Sequence, residues 1–380
     1  MKILYGYPHS DGYNNVNTIT LKRLAHIQRL RNYGFDVKPF LMFISSNIVK
    51  NPAFGLIDKL WYKRDKELLS FYDHFLSEIE DCDVFYNSTG LAIFHPEFLE
   101  MIPQFKVYGC NDDPESSEIM SRPIAKYYDL SAVGNIAEVE TYKSWGAKEV
   151  IWQPMGFRID DYNKDLTYET ILNNEREIDL FMAIDKLARA RRGRMLKIEQ
   201  AFPDASFWGR GWKNGYLPSG QFLNYVQKVN IGLNIHNSTG PINARLFYLP
   251  ANGVMQICDN KKYLGEVFEL GTEVIGFDTI EECIDLTHYY LNHKDEARVI
   301  AANGWKRAIR DYNEEVVFAR LVGKIEELYF KHPSNIEELN RNREQSVWDK
   351  VECFKLKKST KIKHDLKTKA SKLYRKYYKK

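Results

Sequence analysis

Ile231-Gly-Leu-Asn-Ile-His-Asn-Ser-Thr-Gly-Pro-Ile-Asn-Ala-Arg-Leu-Phe-Tyr-Leu-Pro-Ala-Asn-Gly253 begins as an apolar strand and passes through a polar loop holding Gly240 and Pro241. It continues as a short helical pattern over Asn243–Ala251. A strand that feeds a helix through such a loop is the building unit of a parallel sheet. Its loop lies at the carboxyl end of the strand, where open α/β sheets bind ligands. Free N–H groups and the positive dipole end at a helix start attract phosphate. Arg245, in the first turn, could grip a diphosphate bidentately, with Asn243 and the 240–244 backbone as partners and Asn234 and His236 lining the same loop. The competing reading is a surface loop with an ordinary ion-paired arginine, because single Gly-containing loops are weak signals.

The same alternation continues on either side. Upstream, Asp179–Met182 reads as a strand, Leu187–Ala201 as a basic helix, Ser206-Phe-Trp as a strand and Phe222–Lys228 as a helix. Downstream come strands at Val254–Cys258 and Val274–Phe277, then helical stretches at 279–292, 294–311 and 314–331. Two further segments face the expected cleft. Arg189, Arg191, Arg192 and Arg194 form a dense cationic cluster, and Arg192 is singled out as a second phosphate ligand; a solvated helix face is the alternative. In Phe207-Trp-Gly-Arg-Gly-Trp-Lys-Asn-Gly, Gly209 permits close backbone approach and Trp212 offers a flat face for a base or sugar. Core packing of at least one of these tryptophans is the competing expectation.

Residues 1–155 repeat the pattern independently. Strands are expected at Ile3–Tyr5, Val37–Ile44, Val84–Tyr86, Phe105–Tyr108, Leu130–Val133 and Val150–Trp152, with a helix over Thr18–Tyr33 that Gly34 stops. Residues 158–177 are polar and aperiodic and read as the connection between two α/β domains. Loops after the first-domain strands bring His9 and Asp11, and then Asp112 and Asp113, to the cleft. His9, Asp11 and Asp113 are the candidate general bases for an acceptor hydroxyl. Polar surface (His9, Asp11) and a helix N-cap (Asp113) are the structural alternatives.

With 380 residues, 44% of them apolar, the chain can bury two cores. No apolar run approaches the ~20 residues of a membrane span. Five scattered cysteines without a Cys-x-x-Cys pair argue against a disulfide framework and a cysteine-built zinc site. The first residues read as a strand, not a signal peptide, so a cytoplasmic location is expected. The net charge of +3 divides unevenly. Residues 355–380 hold eleven Lys, one Arg and one Asp, or +11, leaving −8 for the remainder. Interleaved with Leu and Tyr, this tail reads as adsorbing to an anionic membrane surface. Nucleic-acid contact ranks below that reading, and a solvated tail is the plain alternative.

Taken in order, several segments resemble the spore-maturation (CgeB-type) glycosyltransferases of the GT-B fold, a glycosyltransferase group 1-like family. These are Asn-Asp-Asp-Pro-Glu (111–115), Gly-Ala-Lys-Glu-Val-Ile-Trp-Gln-Pro-Met-Gly (146–156), Phe-Trp-Gly-Arg-Gly-Trp (207–212), Gly-Leu-Asn-Ile-His (232–236), Asn-x-Arg-x-Phe (243–247), Leu-Pro-Ala-Asn-Gly (249–253), Thr-Glu-Val-Ile-Gly-Phe-Asp (272–278) and Ile-Ala-Ala-Asn-Gly-Trp-Lys-Arg (300–307). The resemblance spans about 105–320. It implies an α/β chain with two Rossmann-like domains facing a central cleft, 1–155 on the acceptor side and 178–330 on the donor side. The helices after residue 312 are expected to include one that crosses back to the first domain, with a helical extension over 331–354 as a candidate, followed by the basic tail. It implies a nucleotide-diphosphate sugar as co-substrate, no metal or other cofactor, and donor contacts at Arg192, Gly209, Trp212, Asn234, His236, Gly240, Asn243, Arg245 and Tyr248. At Tyr248 members of the family commonly carry a Glu that binds the donor ribose. The expected activity is sugar transfer to a glycan or lipid-linked acceptor in surface polysaccharide synthesis, on the inner face of the membrane. A catalytically silent GT-B binding or coat protein and a DNA- or protein-modifying transferase are the alternatives.

Overall fold

The structure, a computed structural model, describes residues 1–8, 18–42, 53–187, 189–218 and 220–331. The expected extension 331–354 (beyond Lys331) and the tail 355–380 lie outside the described residues.

Two parallel sheets form the two halves. The first contains β1 (Ile3–Pro8), β2 (Val37–Met42), β3 (Val84–Asn87), β4 (Phe105–Cys110), β5 (Leu130–Val133) and β6 (Val150–Trp152), in the order β2-β1-β3-β4-β5-β6. The second contains β7 (Ile178–Lys186), β8 (Ser206–Arg210), β9 (Val229–Asn234), β10 (Met255–Asp259) and β11 (Ile275–Phe277), in the order β11-β10-β9-β7-β8. Every pairing is parallel, so helices must return the chain across the sheet faces. That burial on both faces explains why β3 and β4 are buried at every position.

Each sheet has one point where the strand order reverses. In the first it lies between β1 and β3, in the second between β7 and β9. The loops leaving adjacent strands part there in opposite directions and open a crevice at the carboxyl ends.

The stretch 158–177, read as an aperiodic connection, is structured. It carries a 3₁₀ turn at Ile159–Asp161 and a helix at Tyr168–Asn173, which Thr167 caps by accepting from the Thr170 N–H. Its apolar anchor is Ile171, buried in the second core.

The helix Glu314–Lys331 lies after residue 312, where a crossing back to the first domain is expected. It falls in the range assigned to the second domain, yet its apolar face seals the first. Phe318, Leu321, Ile325 and Leu328 pack with Ile3, Val84, Val107 and Leu130. The spacing of these four residues places them on one helical stripe. The return to the first domain is therefore already made here, ahead of 331–354. It runs beside the outgoing crossing, where the Phe157 N–H donates to Tyr312 O at 3.0 Å and Phe157 bridges Asn313.

Glu314 fixes the start of that helix to Thr18–Asn32. Its carboxylate meets His26 Nδ1 at 2.7 Å and Arg29 Nε at 2.5 Å. Burial would raise this carboxyl, but the His26 and Arg29 contacts outweigh it and hold it below the ordinary glutamate range. A depressed folded-state value contributes stability above the unfolded value and loses it as pH falls through the folded value. Wild type should therefore lose stability on acidification below about pH 4.3, the unfolded glutamate value, and Glu314→Gln should lose less. Urea midpoints at pH 7 and pH 3.5 check this; equal acid losses in both proteins would refute it.

Candidate functional site

Two arginine-bearing elements build the crevice of the second sheet. Arg245 opens the helix Arg245–Ala251 and spans the gap between β7 and β9. Its Nη1 donates to Ala183 O at 3.2 Å, and its Nε donates to Asn234 Oδ1 at 3.2 Å. Asn234 is fully buried and acts as the positioning residue. Its Oδ1 also accepts from Asn243 Nδ2 at 2.8 Å, while its own Nδ2 donates to Gln256 Oε1 at 2.9 Å. Asn243 in turn accepts the Leu246 N–H through Oδ1 at 3.0 Å, so one amide network sets both the loop and the helix start. That helix has only seven residues, so its dipole adds little beside the guanidinium groups.

Arg191, on the helix Arg189–Ala201, enters from the other side. It is buried and donates Nη1 to Ile235 O at 3.0 Å. Burial, then the neighbouring cations Arg245 and Arg194, pull it down to about 10. Arg192, the residue singled out from sequence, is exposed on the outer face. A signal for Arg191 was present: it lies four and seven residues before Met195 and Ile198, both fully buried, and so shares their inward face. Of Arg189 only the backbone is described.

Arg191, Arg245, His236 and Asn243 line a cavity of about 340 Å³, which Asn111, Asp112 and Glu115 of the first domain close from the far side. Asp112 is exposed at this rim. Asp113, the candidate base, is turned away: it is buried and accepts the Tyr142 hydroxyl at 2.5 Å. Such a carboxylate is a packing group, without access to an acceptor. His9 and Asp11 lie outside the described residues.

A second cavity of about 430 Å³ adjoins the first and fills the β1/β3 crevice. Tyr7 and Pro8 come from β1, Ser88 and Thr89 follow β3, and Arg23, His26, Arg158 and Glu314 stand around them. Asn111 lines both cavities, marking where a ligand in one would meet a ligand in the other.

His236 is almost wholly buried. Its Nδ1 lies 2.7 Å from Asp259 Oδ1, and its backbone N–H also donates to that carboxylate. Burial lowers its pKa despite Asp259, leaving the ring neutral at physiological pH. With Cys258 these groups are the one His/Cys/Asp cluster of metal-binding proximity among the described residues. A tetrahedral metal would hold the imidazole and carboxylate atoms roughly 3.4 Å apart; at 2.7 Å they share a proton instead.

The remaining sequence candidates serve other ends. Gly240 sits where the loop touches the first domain: a Cβ there would meet Asn135 Oδ1 at 2.2 Å and Ala137 Cβ at 2.8 Å. Next to it Thr239 donates to Glu138 Oε1 at 2.6 Å. Gly209 has a φ of +131°, and a Cβ would come within 2.0 Å of Ile184 O. Trp212 packs at 4.9 Å from Phe207 within the second core, so the 207–212 segment staples β7 to β8. Tyr248 stands edge-on to Phe222 at 4.8 Å, where burial pushes its phenol up to about 12. None of Gly209, Trp212 and Tyr248 lines either cleft cavity.

Residues 173–323 match a family described as glycosyl transferase-like. No curated protein matches the chain. Among solved structures, sucrose-phosphate synthase from Thermosynechococcus elongatus is similar with a TM-score of 0.59 at 12% identity, over 87% of this chain and 100% of that one. HepE of Anabaena, crystallised with UDP-glucose, gives a TM-score of 0.57 at 13% identity over 86% and 100%. A glycosyltransferase from Rickettsia africae gives 0.57 at 13% over 86% and 98%. At such identities these likenesses establish the fold, a two-domain Rossmann-like GT-B arrangement. No helix among the described residues is long and apolar enough to cross a membrane.

Proposed function

We propose that the chain is a glycosyltransferase whose donor is a nucleotide-diphosphate sugar seated in the β7/β9 crevice and whose acceptor enters the β1/β3 crevice. The convergence of Arg191 and Arg245 on one cavity, with Arg194 close enough to depress Arg191, carries this reading. Like charges so placed repel one another until an anion joins them, and a diphosphate supplies two negative groups that forked guanidinium donors match. The glycosyl transferase-like match over 173–323 falls on the same half.

In the transfer, the bond from the sugar anomeric carbon to the diphosphate oxygen breaks and a bond to the acceptor oxygen forms. The acceptor hydroxyl gives up its proton, and the leaving diphosphate takes the electron pair. Arg191 and Arg245 act by holding the charge that develops on that oxygen. Two guanidinium groups supply this charge without a metal, so turnover should persist in EDTA. Asp112, at the rim beside Asn111, is the acid placed to receive the proton, in preference to the buried Asp113.

For the acceptor we favour a glycan or lipid-linked precursor at the cytoplasmic membrane face. The Lys-rich residues 355–380 would hold the enzyme at that surface at about 1 kcal/mol per basic residue. One observation favours the silent-scaffold alternative: Tyr248 offers a hydroxyl where a ribose-binding carboxylate is common in the family, and it faces Phe222.

Thermal-shift titration with UDP-, GDP-, ADP-, CMP- and dTDP-sugars, in EDTA and in magnesium, tests the donor assignment. One nucleotide should stabilise the protein by ~2.7 kcal/mol at a hundredfold excess over Kd. Absence of any shift across the set would turn the assignment to the silent scaffold.

A further inference from the structure

Among the described residues, two cations at the β1/β3 cavity form no salt bridge. Glu314 is satisfied by His26 and Arg29. Asp161, in the same lining, accepts the backbone N–H of Arg158 at Oδ2 at 3.2 Å, and its carboxyl is also drawn to the Arg158 charge. Among the described residues Arg23 then has no acid beside it, and Arg158 has Asp161 nearby without a salt bridge. Arg23 is half-buried, donates Nη1 to Pro8 O, and lies 5.7 Å from the centre of the Tyr7 ring. Arg158 is exposed at the cavity wall. Neither forms a salt bridge with any described residue. Burial lowers Arg23, and the charge that adds most to this is another cation, Arg158. Two guanidinium groups directed at one cavity, one of them half-buried, cost free energy that only an anion between them recovers. The Tyr7 hydroxyl is buried there without a partner.

Granting the first-sheet crevice as the acceptor side, as proposed above, we infer that the acceptor is itself anionic: it carries a phosphate or carboxylate group that seats between Arg23 and Arg158. A neutral oligosaccharide would leave Arg23 facing another cation with no described acid beside it, and Arg158 facing Asp161 alone. The donor's diphosphate cannot fill this role at the same time, because Arg191 and Arg245 hold it in the adjoining cavity.

Equilibrium binding to the full-length chain tests the inference with four probes: glucose, glucose 6-phosphate, glucuronate, and phosphatidylcholine vesicles with and without polyprenyl phosphate. The sugar probes represent a soluble anionic acceptor and the vesicles a lipid-borne one. At least one anionic probe should bind more tightly than its neutral counterpart. Arg158→Gln and Arg23→Gln should each weaken it by about 10- to 100-fold, the value of a charge-assisted contact. Arg158 is exposed, so its variant keeps the test open should Arg23→Gln fold poorly. Vesicle binding through the basic tail would be indifferent to Arg158→Gln and would count against the inference. So would equal binding of glucose and the charged sugars, or loss of probe binding in Arg245→Ala. Nucleotide binding measured on the same variants separates the two claims. An anionic probe that depends on Arg158 while no nucleotide binds sinks the donor assignment alone. Nucleotide binding without any Arg158-dependent probe sinks the anionic acceptor alone.

Discussion

Arg245→Ala is expected to lower kcat/KM by about 10²–10⁴-fold, the loss of two charge-assisted hydrogen bonds at ~1.5–3 kcal/mol each. The guanidinium already spends Nε on Asn234 and Nη1 on Ala183 O, which fixes its plane across the β7/β9 crevice. That pre-organisation makes the effect large, since little side-chain entropy is lost when an anion arrives. Asn234 keeps its bond from Asn243 in the variant, so the loop retains its shape. Arg245→Lys should recover only a minor part, because a point charge cannot reproduce the fork. If Arg245→Ala, with an unchanged melting temperature, keeps kcat/KM within threefold of wild type, the diphosphate is held elsewhere.

Leu321→Ala carries the largest expected effect on stability. Leu321 is fully buried in the core shared with β1, β3 and β4, although some 320 residues separate it from the start of that sheet. Truncating a buried leucine costs about 2–5 kcal/mol, a sizeable part of a domain's total of ~5–15 kcal/mol. Roughly 2–4 °C per kcal/mol for domains of this size gives a melting shift of roughly 4–20 °C. Hydrogen exchange shows which domain suffers. Protection should fall in Ile3–Pro8 and Val84–Asn87 and hold in Val229–Asn234. The opposite pattern would return the helix 314–331 to the second domain.

The elements legible in the sequence were those that local pattern determines. Leu130–Val133 and Val150–Trp152 are strands at the expected bounds, and the helical stretches expected at 279–292, 294–311 and 314–331 begin and end within a residue of that reading. Each rests on apolar periodicity between turn signals. Partnership was not legible. Nothing near Glu314 announces His26 and Arg29, which lie 288 and 285 residues away, and an amphipathic helix does not say which sheet it covers. The site was read in part. Arg245, Asn243 and His236 line one cavity, with Asn234 buried behind and bonded to Asn243 and Arg245, because a βα loop carries them as a unit. The basic helix was read by charge density, which favoured Arg192, where its apolar phase places Arg191 inward. Asp112 and Asp113 are neighbours in sequence and opposites in space, one at the rim and one against Tyr142, a difference that only the turn geometry decides. Gly209 and Trp212 satisfied the sequence criteria for a ligand platform because close approach and aromatic burial serve a core equally well.

The helix that seals the first sheet also sets an order of events during synthesis. The last strand of that sheet ends at Trp152, but its covering face arrives only with Glu314–Lys331, some 160 residues later. At about 5–20 residues per second the ribosome takes roughly 8–30 s to supply it. Over that interval the first half to emerge must wait with the apolar patch around Ile3, Val84 and Val107 uncovered, while the second half can close on its own core. The domain made first is thus the domain finished last, and the nascent chain presents a hydrophobic target until the helix Glu314–Lys331 docks.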